Sequence, residues 1–242
     1  MPFTLSHTVA GYPFYKLTSK KLPLIPLALG CMSPDFSYFL EDLFLNVGPC
    51  HSIRASFTKC LPVTLFILFL FKIYQSKVIA FIPSDQGRRF FQEEMNSIQV
   101  HKILPILLAI LLGAWTHIFW DSWTHRNGFF VLELPVLNTS FFGMELFRIL
   151  QHLSSVFGLI LISLKLMTMG GDPISSWRWR YWLTLMITAV GFAVFFHPTF
   201  PRRSFAFELI SCSIAYSSLG FLLTVLVYQP AKKFHRLIDK LE

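Results

Sequence analysis

"LPILLAILLGAWTHIFWDSWTH", residues Leu104 to His125, begins as an ordinary membrane helix and ends as something else. A span needs about 20 largely apolar residues. Leu104 to Trp120 supplies most of one without any Asp, Glu, Lys or Arg, and Pro105 falls in its first turn, where a missing N–H does no harm. His117, Asp121 and His125 then arrive at steps of four. On a helix such steps keep three side chains within an arc of about 80°, each about 6 Å further along the axis. Ionisable groups within spans are expensive and usually face a cavity or a partner. The plainer reading is an interfacial belt of Trp115, Trp120 and Trp123, with His and Asp merely wetted beside it. Spacing alone leaves both readings open.

Composition favours the membrane. The 242 residues are 54% hydrophobic and only 14% charged, and 27 are Phe. Mean hydropathy is +0.55, whereas soluble domains carry about 25% charged residues. The net charge of +8 sits mostly beside apolar segments, which fits anionic lipid headgroups as partners better than nucleic acid. Cys31, Cys50, Cys60 and Cys212 lack the short paired spacing of a zinc knuckle or a disulfide framework. No P-loop, G-x-G-x-x-G, G-x-S-x-G or H-E-x-x-H occurs, so neither a nucleotide cofactor nor serine hydrolase chemistry is expected.

Four more segments read as spans: Cys60 to Phe71, Ile149 to Leu164, Tyr181 to Phe196 and Leu209 to Tyr228. The first is short and extends if Lys59 and Lys72 snorkel to the headgroups. Leu22 to Met32 is too short to cross and carries Pro23 and Pro26, so it reads as a re-entrant or buried helix. The expected fold is all-α: a polytopic integral membrane helical bundle of about five spans plus that short N-terminal helix, in a single domain over residues 1–242. Arg88 and Arg89, Arg178 and Arg180, and a tail with Lys232, Lys233, Arg236 and Lys240 would share one side. The positive-inside rule makes that side, and the C-terminus, cytoplasmic. Arg202 and Arg203 count against it. His51, Asp121 and His125 then lie on the outer side.

Three further residues offer donors of the same kind: His7 in "MPFTLSH", Asp35 in "MSPDFSYFL" and His51 in "GPCHSI". Imidazole nitrogen and carboxylate oxygen suit zinc or a similar divalent ion. Taken singly each has a plainer role, His7 as a frayed surface residue, Asp35 as a helix cap and His51 as a loop residue. Together with His117, Asp121 and His125 they would make a metal site. Gln151 and His152, near the start of a span, could add hydrogen bonds behind the ligands.

"MPFTLSH", "LGCMSPDFSYFL", "HSI", "LLGAWTHIFWDSWTH" and "LQHLSSVFGL" follow one another in that order. In this they resemble the bacterial membrane proteins grouped as domain-of-unknown-function family 4184. The motif-bearing part runs from residue 1 to about Gly158, and residues 159–242 match only as additional hydropathic helices. The resemblance implies a bacterial inner-membrane location, a fold and a motif order rather than a reaction. A looser similarity reaches membrane-bound metal-dependent hydrolases and the zinc phospholipase C and nuclease group, whose helical bundles bind metals through H-x-x-x-D. It implies His117 and Asp121 as ligands, with Asp35 and His51 as the preceding ones. Those soluble enzymes use further ligands on a later helix, which leaves the number of metals here open.

The functional expectation is a metal-dependent hydrolase, phosphoesterase-like, acting on a lipid or other phosphoester near the outer face. Asp121 or Asp35 would be the catalytic carboxylate. The competing expectation is a non-enzymatic membrane protein that transports or senses a metal or proton, or serves as a scaffold.

Overall fold

Long apolar runs interrupted by proline, glycine and short polar stretches become helices throughout the computed structural model. It describes residues 4–19, 21–43, 45, 47–82, 84–99, 103–141, 143–168, 176–196 and 205–227. The helices are α1 (Thr8–Leu17), α2 (Leu24–Met32), α3 (Phe36–Asp42), α4 (Ile53–Ala55), α5 (Leu61–Ile73), α6 (Gln75–Phe81), α7 (Asp85–Ser97), α8 (Ile103–Thr124), α9 (Phe129–Glu133), α10 (Leu146–Thr168), α11 (Ser176–Phe196) and α12 (Phe205–Val227). The only extended pairing among the described residues is a tiny antiparallel hairpin, β1 (Ser140–Phe141) against β2 (Met144–Glu145). The all-α expectation therefore stands.

Among the described residues three helical stretches are long and apolar enough to cross a membrane: Ile53–Ile73, one within Ile103–Glu133, and Leu146–Lys165. The first exceeds the expected Cys60 to Phe71, because a π-helical turn at Ser56–Cys60 joins α4 and α5 into one helix. Lys59 and Lys72 are also tied more closely than snorkelling implies: they donate to the carbonyls of Pro49 (3.1 Å) and Met95 (2.7 Å). In α11 and α12 the apolar stretches are Tyr181–Gly191 and Cys212–Val227, each under 18 residues. Tyr228, Arg202, Arg203 and the basic tail lie outside the described residues.

The chain divides into two compact units. One comprises residues 1–36, 48–68 and 96–168; the other comprises 37–47, 69–95 and 169–242. In the second, Val78, Ala80, Phe81 and Val225 are buried with Tyr181, Trp182 and Phe221 against them, and the Trp182 indole donates to the Phe81 carbonyl (3.0 Å).

The first unit is built on the contact between α2 and α8. Leu27 and Ala109 are buried in it, as are Ile106 and Ile110 nearby. Two glycines permit the approach. A Cβ on Gly30 would lie 2.3 Å from the Ile110 carbonyl oxygen, and one on Gly113 would lie 2.4 Å from that of Leu27. The backbones touch where any side chain would separate them, as in close-packed membrane helices. The short apolar segment is thus a nine-residue helix with Pro26, Leu27, Gly30 and Cys31 buried, and its last carbonyls are taken up by Ser33 and His117.

Candidate metal centre

The α2–α8 contact decides where the polar residues meet. Just past α2, a 3-10 turn at Ser33–Asp35, with Ser33 Oγ donating to the Gly30 carbonyl (2.8 Å), swings Asp35 towards α8. One turn beyond Gly113, His117 donates from Nδ1 to the Cys31 carbonyl oxygen (2.7 Å). A carbonyl only accepts, so Nδ1 carries a proton and the Nε2 edge of the ring points the other way. It points at carboxylates: Nε2 lies 3.2 Å from Asp121 Oδ2 and 3.6 Å from Asp35 Oδ1.

Two other elements bring histidines to the same place. A 3-10 turn at Thr4–His7 precedes α1 and buries His7, whose ring stacks on His117 with centroids 3.7 Å apart. His7 Nε2 is 3.5 Å from Asp121 Oδ1. The His51 loop is fixed by Lys59 on Pro49 and by Ser52, whose hydroxyl caps α4 at the Ala55 N–H (3.1 Å). His51 Nε2 lies 3.2 Å from Asp35 Oδ1 and 3.4 Å from Asp121 Oδ2. Asp35 is not a helix cap: Thr4 Oγ1 donates to its Oδ2 (2.6 Å) and its Oδ1 faces the histidines.

His7 Nε2, His117 Nε2 and Asp121 Oδ1 are buried and make no hydrogen bond, although each lies within 3.6 Å of an opposing donor or acceptor atom. Buried polar atoms are nearly always paired, and three orphans aimed at one point is the pattern a cation resolves. Two sets of donors, His7–His117–Asp121 and Asp35–His51–His117, each keep all their atoms within 4.8 Å of one another and could hold a metal ion. Zn–N and Zn–O bonds of about 2.0–2.2 Å put two donors within roughly 4.4 Å of each other, so the 3.2–3.6 Å nitrogen–oxygen separations fit.

Protonation supports donation. Burial, reinforced by the adjacent His117, lowers the His7 pKa to about 3, leaving a neutral ring with a free lone pair. Burial would raise Asp35, but His117 and the hydrogen bonds from His51 and Thr4 outweigh it and hold the carboxyl below its ordinary value. Burial would lower His51, yet hydrogen bonding to Asp121 and Asp35 lifts it to about 9. Without a cation, His51 supplies the compensating positive charge.

The cluster is closed below and open above. His117 and Asp35 are fully buried, whereas the side chains of Asp121, His51 and His125 are 10%, 26% and 33% exposed. His125 follows the last turn of α8 and sets Nδ1 3.3 Å from Asp121 Oδ1. It belongs to neither donor set and stands at the rim. Gln151 is buried with its amide nitrogen 3.4 Å from His125 Nε2, while neighbouring His152 is exposed. The tryptophans also tie helices together: Trp115 and Trp120 donate to the hydroxyls of Ser56 (3.0 Å) and Ser154 (3.2 Å), and Trp123 stacks on Phe130. The roles of Thr4, the Cys31 carbonyl and Lys59 at the site emerge only from the structure, since no spacing in the sequence links them to their partners.

The family model described as "Domain of unknown function (DUF4184)" matches residues 1–229. The chain belongs to this family. Membership in DUF4184 extends past Gly158 through α11 and α12, further than the motifs alone indicate. No curated protein and no solved structure matches the chain.

Proposed function

We propose that this protein is an integral membrane metal-dependent hydrolase that cleaves a phosphoester at the membrane surface. The supporting observation is the convergence of orphaned histidine and aspartate atoms on one point beneath an open rim. With Nδ1 held by the Cys31 carbonyl, His117 can offer only Nε2 to an ion, and it belongs to both donor sets, so the sets read as parts of one centre holding one ion. Imidazole and carboxylate donors match zinc. A cation there supplies Lewis acidity towards the phosphoester and draws the pKa of water towards about 7.

The chain's own groups divide the remaining work. His117 and Asp35 form the sealed floor, with the Cys31 carbonyl and Thr4 fixing ring and carboxylate orientation, and His7 closes one side. Asp121 has one oxygen towards His117 and His51 and the other towards His7 and His125, and it reaches the open side. It is the carboxylate placed to accept a proton from water. On α8, the buried residues preceding His117 include Ile106, Ala109, Ile110, Leu111 and Ala114, an apolar seam that favours a closed site over a transport path.

The test is hydrolysis of phospholipid vesicles and of a fluorogenic phosphodiester by the purified protein. Turnover should vanish with chelator, return with zinc, and fall by about 10²–10⁴-fold in Asp121→Asn. Turnover indifferent to chelation would overturn the reading.

A further inference from the structure

An apolar cleft of about 840 Å³ adjoins the cluster, between the N-terminal segment, α8 and α10. That volume lies within the roughly 300–1,000 Å³ of small-molecule sites, but its walls are almost entirely carbon. Val9 and Ala10 form one side, Phe119 and Trp120 another, Leu153 and Phe157 the third. The hydroxyls at its edge are engaged elsewhere: Thr124 donates to the Trp120 carbonyl (3.2 Å), and Ser154 accepts from the Trp120 indole and donates to the Gln151 carbonyl (3.1 Å). Such walls select hydrocarbon.

His7 connects cleft and cluster. It lines the cleft, and its Nε2 is one of the orphaned atoms 3.5 Å from Asp121 Oδ1. A ligand lying in the cleft therefore ends beside the donors that would hold the ion. α8 and α10 each contain a stretch long and apolar enough to cross a membrane. Phe119, Leu153 and Phe157 are exposed at the mouth, so the cleft opens where the proposed bilayer supplies acyl chains.

We infer that the cleft seats an acyl chain of the substrate, with the phosphoester presented to the open side of Asp121 and His51. This rests on the hydrolase reading and narrows it: the substrate is a phospholipid entering sideways from the bilayer, not a soluble phosphoester.

The experiment is photolabelling of the full chain in phosphatidylcholine vesicles containing a trace of phosphatidic acid with a diazirine on one acyl chain. Adducts should concentrate on Ala10, Leu153 and Phe157. They should fall about tenfold in Ala10→Trp, which fills the cleft, with zinc content unchanged. Leu153→Trp fills it from the opposite wall, and zinc content reports whether each variant has kept its fold. Adducts spread evenly over exposed apolar positions such as Phe66, or unaffected by filling variants that retain zinc, mean surrounding lipid only and overturn the inference. Exclusion of the probe by a second copy of the chain, seen as dimers in native mass spectrometry, overturns it too. Labelling requires no turnover. Specific labelling without hydrolysis removes the enzyme and leaves the acyl site, whereas hydrolysis without specific labelling does the reverse.

Discussion

Single residues of the cluster are set apart by which of their atoms are already satisfied. In the proposed centre His117 is oriented as a ligand because its Nδ1 proton is held by the Cys31 carbonyl, and Asp35 has one oxygen left to offer because Thr4 occupies its Oδ2. Partners behind the ligands typically contribute 10–100-fold in metal affinity. Thr4→Val should accordingly weaken zinc binding by about that factor, measured by competition with a chromophoric chelator, while leaving helix content intact. An unchanged affinity would show that Asp35 needs no support. The period of four made His117 and Asp121 legible in the sequence. His7, Asp35 and His51 were legible only as donors of the same kind, each with a commonplace alternative, and the motif resemblance added weight to Asp35 and His51 alone. Thr4 and the carbonyl of Cys31 were not legible: a backbone acceptor has no letter, and a threonine 31 residues from its partner shows no spacing.

Among the elements, the close crossing of α2 and α8 does the positioning. It sets Cys31 against His117 and carries Asp35 to the same depth. A side chain at Gly113 would meet the Leu27 carbonyl and the Cys31 amide at 2.4 and 2.6 Å. Gly113→Val should therefore destabilise the protein by more than about 2 kcal/mol and lower zinc occupancy with it. Gly191→Ala, where nothing lies within 4 Å, should be neutral or stabilising by up to about 1 kcal/mol. Thermal unfolding in detergent compares the two, and equal shifts would show that the crossing is looser than drawn. Hydropathy located the long helices but not this crossing, because a glycine in an apolar helix reads the same whether it faces lipid or another backbone. Nor did it show that the π turn at Ser56–Cys60 would merge a short segment into a 21-residue helix.

For the whole molecule the strongest constraint is surface chemistry. Phe66 and Phe69 on α5, and Leu153, Val156, Phe157, Ile160 and Leu164 on α10, are exposed. Contiguous apolar faces of this kind mark contact with membrane or protein. The protein should remain in the membrane pellet after alkaline carbonate washing and leave it only with detergent. Release by carbonate would remove the bilayer from the account. The all-α class followed from composition and segment length alone. The division into two units did not, since no linker marks it: residues 37–47 and 69–95 belong to the second unit although they interrupt the first in sequence.

Everything functional depends on a cation where five side chains from four segments of the chain converge: His7, Asp35, His51, and His117 with Asp121 on α8. Elemental analysis of the purified chain, beside the double variant His117→Ala with Asp121→Ala, tests this most directly. Close to one zinc or similar divalent ion per wild-type chain, absent from the variant, is the predicted result. Wild-type protein that is metal-free, and takes up no zinc when it is supplied, would contradict it.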